Sequence, residues 1–311
     1  MKIKNSLGDD SKQKTQGFTL IELVITITLS GFLLAVVSLF MTYPILAYSD
    51  VRHRADLLDS AEMAFERMRA DLQRALPNSI RVKQDPNNAN RIALEFMNVV
   101  ESIRYRATSP NPFLDFTGSG STQFDTIGLF NTAPTNATCV ANDCRLVVYN
   151  AGVYGVDTDH PSDGLNAYST ATTVAGAVTI TPPNTSVSFS TNGNESQLTL
   201  NSAVLFANTS PAQRLYVVDT PVSYVCDLSN GQKRLTRYWD YAITAVQATD
   251  PSQDIFANAR TAPLANHVSS CAFSYTPGTA SVYGMVNLTL SFTRGGETIT
   301  LMREITVEND L

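Results

Sequence analysis

Residues 14–50 read KTQGFTLIELVITITLSGFLLAVVSLFMTYPILAYSD. A polar, basic lead-in stops at Gly17 and an apolar run begins at Phe18. Between Phe18 and Tyr48 only one charge stands, Glu22. As a helix this run is about 45 Å long, enough to cross a bilayer. Lys2, Lys4, Lys12 and Lys14 precede it, against Asp9 and Asp10. Basic flanks stay on the cytoplasmic side, so the remainder of the chain is expected to cross over.

Two ordinary explanations of such a run leave residues unexplained. A secretory signal has a shorter apolar core and ends in a small-residue cleavage site. This run is too long, and no such site ends it cleanly. A simple anchor explains the length but not Glu22, because an unpaired carboxylate in hydrocarbon costs several kcal/mol. If the chain is cut after Gly17, Phe18 becomes an N-terminus and its amine a positive charge. Glu22 lies four residues on. The two charges then neutralise each other within one helix, or between helices packed side by side.

The apolar pattern continues past the membrane. In SDVRHRADLLDSAEMAFERMRADLQRAL, the residues Leu57, Ala61, Ala64, Phe65, Met68, Leu72 and Leu76 recur at three- and four-residue spacing. That is one apolar stripe on a helix otherwise charged, and it is expected to pack on a globular domain. Pro77 ends the pattern. Gly31 and Pro44 are expected points of bending, and at Pro44 a kink and an exit from the membrane are both open. On the charged face Arg67 and Asp71 form an opposite pair, whereas Glu62 and Glu66 are alike.

From Ser79 onward the pattern has period two. The expected strands are SIRV, RIALEFMNV, SIRYRA, CRLVVYNA, AVTITP, SVSFS, QLTLN, RLYVVDTPVSYVCDL, LTRYWDYAITAV, CAFSYTP, MVNLTLSFTR and TITLMREITVEN. Turn-rich stretches such as QDPNNANR, TPPNTS and STNGNES divide them. The last two strands flank Gly295-Gly296, a two-residue glycine turn, and read as a hairpin. Residues 107–170 hold few strand signals and read as a long insertion. The implied fold class is α+β: one long N-terminal helix, half membrane-spanning and half amphipathic, on an antiparallel β-sheet domain.

The 311 residues are 43% hydrophobic but only 16% charged, with net charge -6, which suits a β-rich domain and disfavours non-specific nucleic-acid binding. Four cysteines on an exported chain suggest two disulfides, and three connectivities are open. Cys139–Cys144, within the short loop CVANDC, and Cys226–Cys271 are the favoured pairing. Zinc is disfavoured, since His53, His160 and His267 all lie away from the Cys139 loop in sequence. DTDHPSDG (157–164) places three acids before a glycine but lacks the remaining ligands of a calcium loop. GQKRLTRYWDY (231–241) mixes basic and aromatic residues, as a single-strand nucleic-acid surface does; alternation along a strand divides them between packing and solvent instead. No nucleophile elbow, phosphate loop or H-E-x-x-H motif is present, so no enzyme is expected.

GFTLIELV (17–24) resembles the cleavage and methylation motif of type IV prepilins and type II secretion pseudopilins. The resemblance implies a prepilin peptidase that cuts after Gly17 and methylates Phe18, with Glu22 as an assembly residue. RMRADLQRALPNSIRV (67–82), YVVDTPVSYVCD (216–227), LTRYWDY (235–241) and the closing VNLTLSFTRGGETITLMREITVEND resemble the J-type pseudopilin and PilW-like group. They are most similar to minor pilins of the mannose-sensitive haemagglutinin (MSHA) pilus. These blocks leave residues 107–210 unmatched.

The implied organisation is a cytoplasmic leader (1–17), a transmembrane and filament-core helix (18–48), an amphipathic helix (49–76) and a periplasmic β-rich domain (77–311). The implied location is the bacterial inner membrane, crossed once, and then the pilus, at its tip. The implied partners are other minor pilins, the major pilin, the prepilin peptidase, the inner-membrane assembly platform and the membrane, with no cofactor, metal or nucleic acid. Two function classes remain: an assembly subunit that starts or caps a filament, and a tip-presented binding module working through residues 107–210.

Overall fold

The computed structural model describes residues 17–110, 112–131, 144–150, 166–168, 176–231, 233–278 and 283–307. It divides into two compact units, one up to Arg52 and one from His53. The helix α1, Leu20–Leu72, begins in the first unit and ends in the second.

In the first unit α1 is long and apolar enough to cross a membrane. Leu20, Ile21, Phe32, Leu34 and Phe40 are all exposed. Its hydroxyls are satisfied within the helix: Thr26 donates to the Leu23 carbonyl, Thr28 to Val24 and Ile25, and Thr42 to Ser38. Such back-bonding removes the cost of polar groups in an apolar medium. The backbone of α1 continues through Pro44 as helix, as expected of a helix that runs on past the membrane.

In the second unit α1 buries one stripe. Leu57, Ala61, Ala64, Phe65, Met68 and Leu72 are at most 3% exposed. The helix stops at Leu72, four residues before the expected end at Leu76. Ala75 forms a bridge with Asn98 instead, Leu76 N–H donates to the Met97 carbonyl at 2.9 Å, and Val99 N–H donates to the Arg74 carbonyl at 2.8 Å. Ala75 and Leu76 are buried like the stripe, but as extended chain.

Among the described residues ten strands form one sheet and three a second. The first holds β1 (Arg81–Gln84), β2 (Arg91–Tyr105), β3 (Ser121–Ile127), β4 (Arg145–Val148), β5 (Ala177–Val178), β6 (Val187–Asn192), β7 (Glu195–Phe206), β8 (Arg214–Asp227), β9 (Arg234–Trp239) and β10 (Arg260–Asn266). Its main path runs β10-β9-β8-β2-β3-β7-β5, with β1 on β2, β4 on β8 and β6 on β7. The second is the meander β11 (Val268–Thr276), β12 (Gly284–Arg294) and β13 (Glu297–Val307). Arg294 faces Glu297 across the Gly295-Gly296 turn, where both glycines have positive φ. That is the geometry a two-residue hairpin loop requires.

The chain passes from one sheet to the other at a single residue, His267, which has φ 60°. The disulfide Cys226–Cys271 joins β8 to β11, and so ties the two sheets.

β2 and β8 are the spine. Their inner ends, Leu94 and Phe96 with Val222, Tyr224 and Cys226, enter a proximal core shared by the α1 stripe and the second sheet. Their outer ends, Ile103 and Tyr105 with Leu215 and Val217, enter a distal core built from β3, β4, β6 and β7. Between the cores the register shifts twice, at Met97/Val99 and at Val99/Glu101, and Pro221 faces Met97 there. A bulge accommodates a proline that cannot donate to a regular ladder. Residues 107–170, expected to be largely irregular, contribute β3 and β4 to this distal part.

Candidate functional site

The candidate site is the start of α1. Gly17 and Phe18 precede the helix in non-helical conformation and are exposed. A Cβ added at Gly17 meets nothing within 4 Å, and Gly17 is not among the positive-φ glycines. The fold itself therefore does not require glycine there. A demand for glycine at this position has to come from a molecule that handles the segment.

Thr19 stands just before the first helical residue. Its hydroxyl accepts from the Glu22 backbone N–H at 3.3 Å and donates to the Glu22 carboxylate at 3.4 Å. This is a threonine–glutamate capping pair, and it satisfies a backbone donor that the helix start leaves open. The carboxylate also lies in the first turn, where the helix dipole favours negative charge. Glu22 remains exposed and available to a partner. The sequence signal for this cap, threonine followed three residues later by glutamate, is present in TLIE; reading Glu22 only through its charge overlooks it.

The other anticipated site residues are distributed elsewhere. Cys226 and Cys271 are bonded to each other with Cα atoms 6.5 Å apart. Cys144 is buried in the distal core and is itself disulfide-bonded. Cys139, the stretch DTDHPSDG and the leader before Gly17 lie outside the described residues.

The basic–aromatic stretch 231–241 is committed to packing. Arg237 donates to Asp71 at 2.6 Å and lies over the Trp239 ring at 4.4 Å. Tyr238 and Tyr241 pack on Phe256 in a small buried cluster. Lys233 and Arg234 stay exposed, but the two tyrosines that would stack on bases are inside.

Two buried charge networks also escape sequence reasoning. Asp71, in the last turn of α1, accepts from the Tyr224 hydroxyl at 2.5 Å and from Arg237, and pairs with Arg67 at 3.1 Å. Burial and the Asp71 charge push the Tyr224 hydroxyl pKa upward. On the sheet, Glu95 pairs with Arg81 at 2.5 Å and accepts from Ser223 and Tyr241, each at 3.1 Å. Burial first, then Glu95, holds Tyr241 well above the ordinary tyrosine pKa. Arg81, Glu95, Ser223 and Tyr241 are all buried. Buried ionic groups bonded to one another fix a packing arrangement rather than meet a substrate.

Among the described residues, Gly17-Phe18 stand exposed ahead of α1, with the capping Glu22 one turn on. No curated protein and no solved structure matches the chain. The family description of the prokaryotic N-terminal methylation motif matches residues 12–38. The motif, with the apolar α1, implies processing by a prepilin peptidase and assembly with pilus components, is consistent with membrane anchoring, and supports a type IV pilin-like or pseudopilin-like protein.

Proposed function

We propose that the chain is a minor pilin of an MSHA-like type IV pilus, similar to MshO, cut after Gly17 and methylated at Phe18. It is a structural subunit rather than an enzyme, and helps to initiate or cap the filament. The leader is cytoplasmic, the domain from residue 77 onward is periplasmic, and the mature subunit ends in the pilus, at the tip. Its neighbours are other minor pilins, the major pilin and the inner-membrane assembly platform. The observation that carries this reading is the exposed segment Gly17–Glu22 at the head of an apolar helix that finds no cover in its own unit. After cleavage the Phe18 amine and a Glu22 carboxylate attract strongly where water is excluded. Because leaving either buried and unpaired is costly, their pairing sets register between helices.

Mass spectrometry of the mature chain tests the processing step and is expected to find N-methylated Phe18; a chain in filaments that still begins at Met1 refutes it. The Glu22 role is tested by co-purification with the other minor pilins. Glu22→Gln keeps an acceptor for the Thr19 hydroxyl but removes the charge. Loss of partners in both Glu22→Ala and Glu22→Gln assigns the role to charge. Recovery in Glu22→Gln assigns it to the helix cap.

A second reading, a binding module at the tip, is favoured by one observation: residues 107–210 build most of a core of their own, away from the helix. Normal filament numbers with lost attachment in a deletion strain would select it.

A further inference from the structure

We infer that the domain is divided at the β2 bulge into an assembly half and a separable distal lobe, and that incorporation into a filament needs only the first. This rests on the pilin reading above, and it assigns the assembly role to one part of the chain and the tip-binding role of the second reading to another.

The buried residues of α1, from Leu57 to Leu72, belong to the proximal core, and none belongs to the distal one. The chain that follows α1 inserts into the bulge through Leu76 and Arg74, and beyond it Pro77 and Asn78 meet Asn150 of the lobe. The strands leaving and re-entering the proximal half are tied at a neck, where the Asn98 amide donates to Asp219 at 2.9 Å. The Cys226–Cys271 bond lies in the proximal half, and the disulfide-bonded Cys144 lies in the distal core.

The surfaces differ as well. The outward face of β3, β7 and β6 aligns Gln123 with Thr199 and Ser188, and Gln197 with Ser190. Asp125 lies beneath, with its carboxylate taken by Gln197 and Asn192. The helix face of the proximal half is charged, whereas this sheet face presents amides and hydroxyls.

Ties cross the seam among the described residues, and one is the Asn78 amide, which donates to the Asn150 carbonyl at 3.3 Å. The Asn150 amide donates to the Pro77 carbonyl at 2.7 Å, and Tyr168 covers Arg81 at 3.8 Å. A small cluster that includes Leu76, Met97, Val147, Tyr168 and Val218 fills the space between. These contacts fix the lobe in place. They contribute no part of the helix-bearing core.

Val99 and Val218 are directly opposed on β2 and β8. An Asn-Gly pair can therefore replace residues 100–217 and close β2 and β8 as a two-residue hairpin. The test uses this full-length membrane chain without its lobe, expressed in a strain lacking the natural copy. A second variant adds Leu76→Gln and Met97→Thr, since both side chains lose cover. The readouts are Cys226–Cys271 formation, cleavage after Gly17, the amount in sheared surface filaments, and attachment of the cells to a surface.

The expected result is an oxidised, cleaved chain present in filaments at about the wild-type level, with attachment lost. An oxidised and cleaved chain that is absent from filaments, or one present in filaments with attachment kept, overturns the inference. Failure of both variants to form the disulfide also overturns it, because the proximal half then depends on the lobe. If the wild-type chain itself is neither cleaved nor found in filaments, the pilin reading fails instead.

Discussion

Leu20–Arg52 and His53–Leu72 are stretches of the same helix with opposite relations to their surroundings. In the first, apolar side chains cover every side and are exposed, and Glu22 is the only charge before Asp50. In the second, one stripe is buried against two sheets and the other faces are charged. A helix that is apolar all round needs an apolar medium, whereas an amphipathic one finds its cover within the fold. The stability of the second stretch is thus a property of this chain. That of the first depends on a membrane or on neighbouring subunits.

Breaking the second stretch gives the largest expected effect. Asp71→Ala leaves the buried Tyr224 hydroxyl and the partly buried Arg237 without their acceptor, and such losses cost about 3–5 kcal/mol. Denaturant unfolding of the detergent-solubilised chain should show it, with membrane retention unchanged. The converse is Leu34→Asp, which places a carboxylate within the apolar run at about 3 kcal/mol of insertion free energy. Carbonate extraction should release this variant, while its Cys226–Cys271 disulfide still forms.

A smaller effect lies at alkaline pH. Burial pushes the Tyr275 hydroxyl up to about 12 from 10.0, and it sits in the proximal core with the α1 stripe. The unfolded chain loses this proton near its ordinary pKa while the folded chain keeps it. Its contribution is therefore complete below 10 and is lost as pH rises toward 12. Tyr275→Phe should flatten the decline of the unfolding midpoint over that window. The smallest change is expected from Met63→Lys, on the side of α1 away from the stripe, with Met63 exposed at 68%. Its stability should stay within about 0.5 kcal/mol of wild type. A larger loss would mean that this face has a partner inside the domain.

The sequence was legible where one local rule acts alone. The helical stripe, the Gly295-Gly296 hairpin and the alternating strand MVNLTLSFTR follow periodicity and turn chemistry. Residues 12–38 carry the N-terminal methylation motif. The end of α1 was less legible, because Ala75 and Leu76 keep the apolar spacing while switching from helix to a bridge with β2. RIALEFMNV and SIRYRA are one strand interrupted by a bulge, and a bulge has no composition of its own. β10 contains Pro263, which argues against a strand until its position at the edge of the sheet is known. LTRYWDYAITAV stops being a strand at Trp239, since Asp240 takes a positive φ. Neither buried charge network has a sequence signature, because Asp71 and Arg237, or Arg81 and Glu95, meet only once the fold is made.

The bond between Cys226 and Cys271 has a mechanical consequence for any subunit that is pulled from outside the cell. Its cysteines are 45 positions apart in sequence, and the loop between them includes β9 and β10 and the passage between the two sheets. Stretched out, that length of chain is roughly 150 Å. While the cystine is intact, tension passes from β8 to β11 through two sulfur atoms, and those 150 Å cannot be drawn out. The enclosed strands can lose their pairing without lengthening the molecule. A load applied across the domain is then borne by the remaining strands and the helix, and extension is confined to chain outside the loop.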